Sequence, residues 1–309
     1  MPAAPDRFRD TVVVVTGATG FIGAHLAARL CALGAEVHGI ARSRPTFEHG
    51  RFHSRSLDLC DYQAVVGAMQ ASRPDYVFHL ASHVMGAPDL KHVLPAFHAN
   101  LETTVNLLTA CADCGCGQDR VVLTGSLVEP PPGELETVPS SPYAAAKWAS
   151  GSYARMFHAL YGLPTSIARV FMVYGPAQRD ETKLVPYVVR TLQAGQAPKI
   201  TSGRRQIDWI YVADVVDGFL AIAAAPGIEG QSVDLGSGKL ISTRDLVLTI
   251  SRLMESKNAP EFGALQDRPL EPVRMADVER SYRQTGWRPH VSLERGLRET
   301  IEYYRGAWK

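Results

Sequence analysis

The chain has 309 residues and a formal net charge of +1 at pH 7, from 32 basic and 31 acidic side chains. This length suits one large domain or two fused ones, and the balanced charge, without runs of Lys or Arg, argues against a nucleic-acid partner. The N-terminal MPAAPDRFRD is charged and lacks the apolar core of a signal peptide, and no apolar run reaches the roughly 20 residues of a membrane span. We therefore expect no membrane association. The odd number of cysteines, five, favours a cytoplasmic protein.

Three of the cysteines cluster in one short segment, at Cys111, Cys114 and Cys116. No second cysteine pair and no histidine pair follows at the spacing of a zinc site. We interpret the cluster as small thiols at the end of a helix, and no metal is expected.

Strand and helix patterns alternate along the first half of the chain. The strand candidates lie at 11–16, 36–41, 54–59, 75–82, 120–126 and 165–175. The helical segments between them lie at 21–34, 61–72, 94–114 and 143–161. This alternation predicts parallel βαβ units in an α/β, doubly wound sheet.

The pattern loosens after Gly175-Pro176, where proline-rich loops and short strands separate helices. These helices are expected near 183–194, 213–225, 243–256 and 293–306. We predict a first domain at 8–175 and a smaller, mixed α/β lobe at 176–309, with the helix near 213–225 packing back on the first domain.

The first strand is followed by a glycine-rich turn, TGATGFIG at 16–23. Gly17 permits a tight turn, Gly20 lets a pyrophosphate approach the backbone, and Gly23 allows close packing of helix on strand. The helix that begins at Phe21-Ile22 then points its free N–H groups at the phosphates. The turn therefore predicts a Rossmann domain that binds a nicotinamide dinucleotide.

The end of the second strand bears on the choice of dinucleotide. An acidic residue there would bind the ribose 2′-hydroxyl of NAD, but the sequence reads Ile40-Ala41-Arg42. An arginine at this place suits the extra phosphate of NADP, so NADP(H) is favoured over NAD(H). The alternative is that Arg42 is a surface-loop residue beside NAD.

A tyrosine and a lysine stand four residues apart in the helical stretch SPYAAAKWA. Tyr143 and Lys147 therefore share one helix face. An adjacent ammonium is expected to favour the phenolate, so the phenol can exchange a proton with a carbinol while hydride moves to or from the nicotinamide. Ser126, at the carboxyl end of the strand RVVLTGS, is placed to orient the substrate oxygen.

Together these stretches resemble the extended short-chain dehydrogenase/reductase family, and more narrowly its nucleotide-sugar epimerase/dehydratase branch. The similarity covers nearly the whole chain, through TGATGFIG, HLAS, Asn100, LTGS, SPYAAAK, RVFMVYGP, GRRQIDWIYVADVVDGF and TGWRP. It implies that Ser126, Tyr143 and Lys147 form the catalytic trio, and that Lys147 also contacts the nicotinamide ribose.

The resemblance and the glycine turn together imply the binding residues. Those expected at the dinucleotide, besides Tyr143 and Lys147, are Gly17, Gly20, Phe21, Ile22, Gly23, Arg42, Asp58, Leu59, Leu80, Ala81 and Ser82. Those expected at the sugar nucleotide are His83, Met172, Lys183, Arg205 and Arg268. Arg268 resembles the arginine that clamps the diphosphate, for which a guanidinium fork is suited. Members of the family often form homodimers through helices that correspond to 94–114 and 143–161.

Departures from the family pattern narrow the reaction. The 4,6-dehydratases carry an Asp-Glu pair directly after the catalytic hydroxyl, where this chain has Leu127 and Val128, so a dehydratase is not expected. Met172 and Ile207 replace a common asparagine and arginine of the nucleotide site, although Arg204 and Arg205 lie close to the second. The proline-rich loop 129–141 also departs from the usual continuation, and its ligand stays open.

Two reactions remain open. The favoured one is NADPH-dependent reduction of a nucleotide-linked 4-keto-6-deoxyhexose, because a net reduction consumes NADPH. The alternative is an NAD-dependent nucleotide-sugar 4-epimerase, which uses the same three side chains. A third hypothesis, a non-catalytic cofactor-sensing protein, is disfavoured because such proteins commonly lose the tyrosine or the lysine.

Overall fold

The computed structural model describes residues 7–43, 47–130, 137–267 and 273–307. The strands are β1 Val12–Thr16, β2 Glu36–Ile40, β3 Phe52–Arg55, β4 Tyr76–His79, β5 Arg120–Ser126, β6 Thr165–Val170, β7 Met172–Tyr174, β8 Lys199–Ile200, β9 Gln206–Tyr211, β10 Ser232–Leu235, β11 Leu240–Ser242 and β12 Glu261–Phe262. The α-helices are α1 Phe21–Ala32, α2 Tyr62–Ser72, α3 Val93–Ala96, α4 Thr103–Cys114, α5 Pro142–Tyr161, α6 Leu184–Gln193, α7 Val212–Ala224, α8 Thr243–Leu253, α9 Val278–Thr285 and α10 Leu293–Ala307.

The chain divides into two compact units. The first comprises Met1–Val170, Val216–Asp234 and Glu279–Trp287, and the second comprises Phe171–Val215, Leu235–Val278 and Arg288–Lys309. The assignment of dinucleotide binding to 8–175 and of substrate binding to 176–309 stays a prediction.

The first unit is built on a sheet that, within the described residues, has seven strands in the order β10-β6-β5-β4-β1-β2-β3. Neighbouring strands run parallel. Val13, Val14 and Val15 of β1 are fully buried, as expected for a central strand with helices on both faces. The order reverses between β1 and β4, so their carboxyl ends meet at the switch point where such sheets bind ligands. The predicted doubly wound α/β fold is confirmed.

Local sequence determines where the helices of this unit begin. The Asp61 carboxylate accepts a hydrogen bond from Ala64 N at 3.1 Å and caps α2. The Ser141 hydroxyl likewise accepts one from Ala144 N at 3.2 Å and caps α5. Pro142 fits the first turn of α5 because no intrahelical partner is needed there. The cap therefore fixes the start of the helix that carries Tyr143 and Lys147.

Several elements differ from the sequence prediction. The strand expected at 165–175 is two strands, β6 and β7, which belong to different sheets. The strand expected at 75–82 ends at His79. The third strand is Phe52–Arg55 rather than 54–59, because it pairs with β2 only as far as Ile40, opposite Arg55. The helix expected at 94–114 contains a π-helical segment, Phe97–Glu102, between α3 and α4. The helix α9 was not predicted, because its short sequence VERSYRQT is mostly polar.

The second unit contains a small sheet in the order β11-β9-β7, and β12 pairs with β8. Asp208 of β9 is buried and accepts hydrogen bonds from the backbone N–H groups of Ser237 and Ala276, at 2.6 and 3.0 Å. This carboxylate therefore ties two loops of the unit to its central strand. Among the helices described, none is long and apolar enough to cross a bilayer.

Candidate active site

The glycine turn closes tightly against the strand next to it. Gly17 has a φ of +68°, and a Cβ at this position would lie 2.7 Å from Ala81 N. A Cβ on Gly23 would overlap the carbonyl oxygen of Gly17. Gly20 precedes α1, and no side chain caps the start of this helix. The N–H groups of the first turn can therefore donate hydrogen bonds to a phosphate. The turn therefore fits a pyrophosphate, and the predicted residues Gly17 to Gly23 lie together with Leu80 and Ala81.

Other predicted dinucleotide residues lie after β2 and β3. Arg42 is exposed just beyond the end of β2, and the neighbouring Ser43 hydroxyl lies 2.8 Å from that of Thr19 in the glycine turn. The Asp58 carboxylate accepts a hydrogen bond from Cys60 N at 3.0 Å, and Leu59 is buried. The loop that holds Arg42 is thus joined to the glycine turn.

The predicted trio converges at the carboxyl end of β5. Ser126 ends the strand, and Tyr143 and Lys147 lie in the first two turns of α5. The Lys147 ammonium is 5.9 Å from the centre of the Tyr143 ring and donates a hydrogen bond to Thr124 O at 2.9 Å. The structure therefore brings a hydroxyl, a phenol and an ammonium together.

The electrostatics of the pair differ from the expectation that the ammonium lowers the pKa of the tyrosine. Packing around the partly exposed Tyr143 raises the pKa of its phenol to about 12, against hydrogen bonds from Ser126 and Ser82 that favour the phenolate. Burial lowers the pKa of Lys147 to about 8, while the negative charge of Glu129 raises it. In the protein alone, both groups are therefore displaced toward their neutral forms.

Asn100 anchors the segment that follows β4. It is fully buried in the π-helical segment, and its side-chain oxygen accepts hydrogen bonds from Ser82 Oγ at 2.6 Å and His83 N at 2.9 Å. Its backbone oxygen also accepts a hydrogen bond from Ser150 of α5 at 3.2 Å. Asn100 thus connects Ser82 and His83 to the helix that carries Tyr143.

A buried histidine that sequence reasoning passed over lies under this segment. His79 Nδ1 is 2.8 Å from the Thr16 hydroxyl, and Nε2 is 3.1 Å from the Thr104 hydroxyl, which itself donates to Asn100 O. Thr104 therefore accepts from Nε2–H, and Nδ1 accepts from Thr16. Burial, with the charge of Lys147, lowers the pKa of His79 to about 3 and keeps the ring neutral. The only signal in the sequence was the HLAS motif.

The remaining predicted substrate residues belong to the second unit or lie outside the described residues. Met172 is half-buried opposite Trp209 in the β7–β9 pair, and Lys183 precedes α6 with its ammonium 3.6 Å from Asp180. The half-buried Arg205 accepts a backbone hydrogen bond from Thr243 N. Arg268 lies outside the described residues.

In the part of the chain that the structure describes, the cysteines form no cluster with other metal-binding side chains. Cys111 and Cys116 are buried free thiols, as predicted, and Cys114 is half-buried. Within the described ranges, no group of three His, Cys, Asp or Glu side chains could hold a metal ion.

Comparison with known proteins identifies the family. The model of the NAD dependent epimerase/dehydratase family matches residues 13–236, which is more than half of the chain. The chain belongs to this family. The similarity to extended short-chain dehydrogenases/reductases seen in the sequence is therefore confirmed, and the protein is an NAD(P)-dependent enzyme of the epimerase/dehydratase type.

Relatives in the family carry more than one activity. The UDP-glucose 4-epimerase of Mycolicibacterium smegmatis is 32% identical, over 94% of this chain and 98% of its own. A probable dTDP-glucose 4,6-dehydratase of Sinorhizobium fredii is 30% identical, over 96% and 94%. The similarity therefore extends along both chains, and membership of the family alone does not select the reaction.

Solved structures of the family have the same fold. A UDP-glucose 4-epimerase of Thermotoga maritima with UDP-glucose has a TM-score of 0.87 and 25% identity, covering 96% of this chain and 100% of its own. The Bordetella bronchiseptica enzyme WbmF with NAD⁺ and UDP has a TM-score of 0.84 and 27% identity, covering 99% and 95%.

A second buried residue at the site, after His79, was also missed from the sequence. Glu129, in the loop that departs from the family pattern, is 4% exposed and accepts a hydrogen bond from Ser126 N at 2.6 Å. A glutamate three residues after the serine matched no motif, so only the structure reveals its place.

Proposed function

We propose that the protein is a nucleotide-sugar 4-epimerase. The observation that carries this proposal is the convergence of Ser126, Tyr143 and Lys147 at the end of β5. The two residues directly after Ser126 have side chains that cannot transfer protons. Leu127 is buried, and Val128 is half-buried. A dehydratase needs acid–base groups beyond Tyr143, whereas inversion at C4 needs only one group that takes up and returns a single proton.

Each residue of the trio has a role that follows from its chemistry. The bound dinucleotide supplies the acceptor and donor of hydride. Tyr143 removes the proton of the C4 hydroxyl and returns it after the 4-keto sugar has turned its other face. Ser126 holds the C4 oxygen by a hydrogen bond, and Lys147, buried beside the phenol, favours the phenolate during the transfer.

The relatives support the proposal. Enzymes named as UDP-sugar 4-epimerases occur both among the similar sequences and among the similar structures, one of them with UDP-glucose. We propose a nucleotide sugar as substrate. The residues proposed to contact it are His83, Met172, Lys183, Arg205 and Arg268. We also propose a homodimer.

A second candidate is favoured by the end of β2. No acidic residue is present there, and Arg42 is exposed next to the glycine turn. A preference for NADPH would favour net reduction of a nucleotide-linked 4-keto-6-deoxyhexose by the same trio. The structures of WbmF with NAD⁺ and with NADH support NAD(H) as a cofactor of the fold.

The two reactions are distinguished by following the hydrogen at C4. The purified enzyme is incubated with UDP-hexoses deuterated at C4, and the products are separated by chromatography and analysed by mass spectrometry. An epimerase produces the C4 epimer with the deuterium retained, without net consumption of dinucleotide. Consumption of NADPH with a 4-keto sugar, and no epimer, would replace the proposal by the reductase. The Tyr143→Phe variant serves as the inactive control.

A further inference from the structure

Glu129 occupies a buried position between strand β5 and helix α5. Its Oε1 accepts a hydrogen bond from Ser126 N, and a Cβ on Gly125 would lie 2.5 Å from this oxygen. Its Oε2 would lie 3.7 Å from a Cβ on Gly151, which stands one turn after Lys147 in α5. The carboxylate therefore fills the space where glycines leave room on both elements.

Cations from two elements face this carboxylate. Arg169 of β6 has its Nε 4.0 Å from Glu129 Oε2, and its Nη1 is 2.8 Å from Asp234. From α5, Lys147 and Arg155 act on Glu129 electrostatically. Their influence opposes burial, which is the larger effect and raises the pKa of the Glu129 carboxyl. A buried carboxylate is stable only with such partners, so the cluster is built around its charge.

We propose that Glu129 is a positioning residue of this site: its carboxylate holds the end of β5 at Ser126 and supplies the negative charge that the Lys147 ammonium faces. The proposal rests on the proposed function in one respect, the acid–base role of Ser126, Tyr143 and Lys147. Glu129 itself lies behind the strand end and acts through these residues.

The charge acts on both members of the acid–base pair. The negative charge of Glu129 raises the pKa of Lys147 and also that of Tyr143, so its removal should lower both. A hydrogen-bonding role alone would leave both pKa values unchanged when the shape of the side chain is kept. Glu129→Gln keeps the shape and removes the charge, whereas Glu129→Asp keeps the charge but shortens the reach to Ser126 N.

A matched control exists at the other end of the same strand. Arg120 begins β5, is buried, and pairs with Glu229 at 2.6 Å. Glu229→Gln therefore also removes the carboxylate of an ion pair in the first unit. Its partner Arg120 lies six residues before Ser126 on the same strand. This variant reports the consequence of a lost ion pair without changing the charge near Lys147.

The main readout needs neither substrate nor turnover. The pKa of Lys147 is measured by NMR in protein labelled with ¹³C and ¹⁵N at lysine, and Lys147→Met assigns the signal. In Glu129→Gln the pKa should fall by about 1 or more, the range for loss of a nearby opposite charge, with no change in Glu229→Gln. An unchanged pKa in Glu129→Gln, or an equal fall in both variants, would overturn the proposal.

The aspartate variant tests positioning, also if the glutamine variant does not fold. Glu129→Asp should keep the pKa of Lys147 near the wild-type value while kcat falls about tenfold or more, as expected when a reacting group is displaced by a fraction of an ångström. A fall in the pKa of Lys147, or a wild-type kcat, would refute it. Because the NMR titrations use the protein without substrate, failure of the epimerase assay would leave the pKa test of Glu129→Gln intact.

Discussion

The buried ammonium of Lys147 makes the stability of the protein depend on pH in a defined direction. Burial lowers the pKa of this group from 10.5 to about 8 in the folded protein. Between these values the unfolded chain binds more protons than the folded protein, so the free energy of unfolding rises with pH. At about 1.4 kcal/mol for each unit of pKa difference, the burial costs about 3 kcal/mol at neutral pH. About 2 kcal/mol of this cost is relieved between about pH 7 and about pH 9.5.

Urea unfolding of the wild type and of Lys147→Met across this pH range tests the argument. Methionine does not titrate, and the other titrating groups contribute equally to both proteins. As the pH rises across this range, the unfolding free energy of the wild type should therefore increase by about 2 kcal/mol relative to that of Lys147→Met. Lys91→Met, at a largely exposed lysine of the same unit, is the matched control. A difference that stays constant across the range would refute a lowered pKa. A shift in favour of the variant would refute it as well.

Three further substitutions test the trio and the dinucleotide site. Tyr143→Phe should lower kcat about 10²–10⁴-fold and leave the dinucleotide Kd unchanged, because only the acid–base hydroxyl is lost. The control Tyr153→Phe, farther along the same helix, should stay active. Near-wild-type turnover of Tyr143→Phe would disprove the assignment. Gly23→Ala should abolish dinucleotide binding in a fluorescence titration, because the new Cβ overlaps the backbone of the turn. The control Gly67→Ala, where a Cβ meets nothing within 4 Å, should bind normally. Dinucleotide binding by Gly23→Ala would contradict the fit of the turn to a pyrophosphate. Arg42→Ala should weaken NADPH about tenfold or more relative to NADH, and equal losses for both would identify Arg42 as a loop residue.

The parts of the fold predicted correctly are those that local patterns determine. The valine run of β1 and the glycines after it indicate a buried strand and a phosphate turn, because few other structures accommodate them. Tyr143 and Lys147 share a helix face by spacing alone. Ser126 was placed because parallel strands present their carboxyl ends to ligands.

The features that were missed depend on contacts between distant residues. The raised pKa of Tyr143 results mainly from packing around its phenol, which the spacing to Lys147 does not reveal. Glu129 is buried beside Arg169, which lies forty residues later in the chain. The π-helical segment Phe97–Glu102 had no counterpart in the predicted helix 94–114, and its Asn100 contacts Ser82 and His83, which are distant in the sequence.

The widened helical turn at Phe97–Glu102 means that the number of residues in this helix, as well as their identity, determines where the Asn100 side chain points. A π-helical turn holds one more residue than an α-helical turn, and each α-helical residue adds about 100° of rotation. Deleting one residue there would restore regular winding and swing the Asn100 side chain away from Ser82 and His83. Relatives that have one residue fewer in this turn should therefore hold the segment after β4 by a residue other than the one at the position of Asn100. A library of single deletions along 93–114 should show its sharpest loss of activity within this turn.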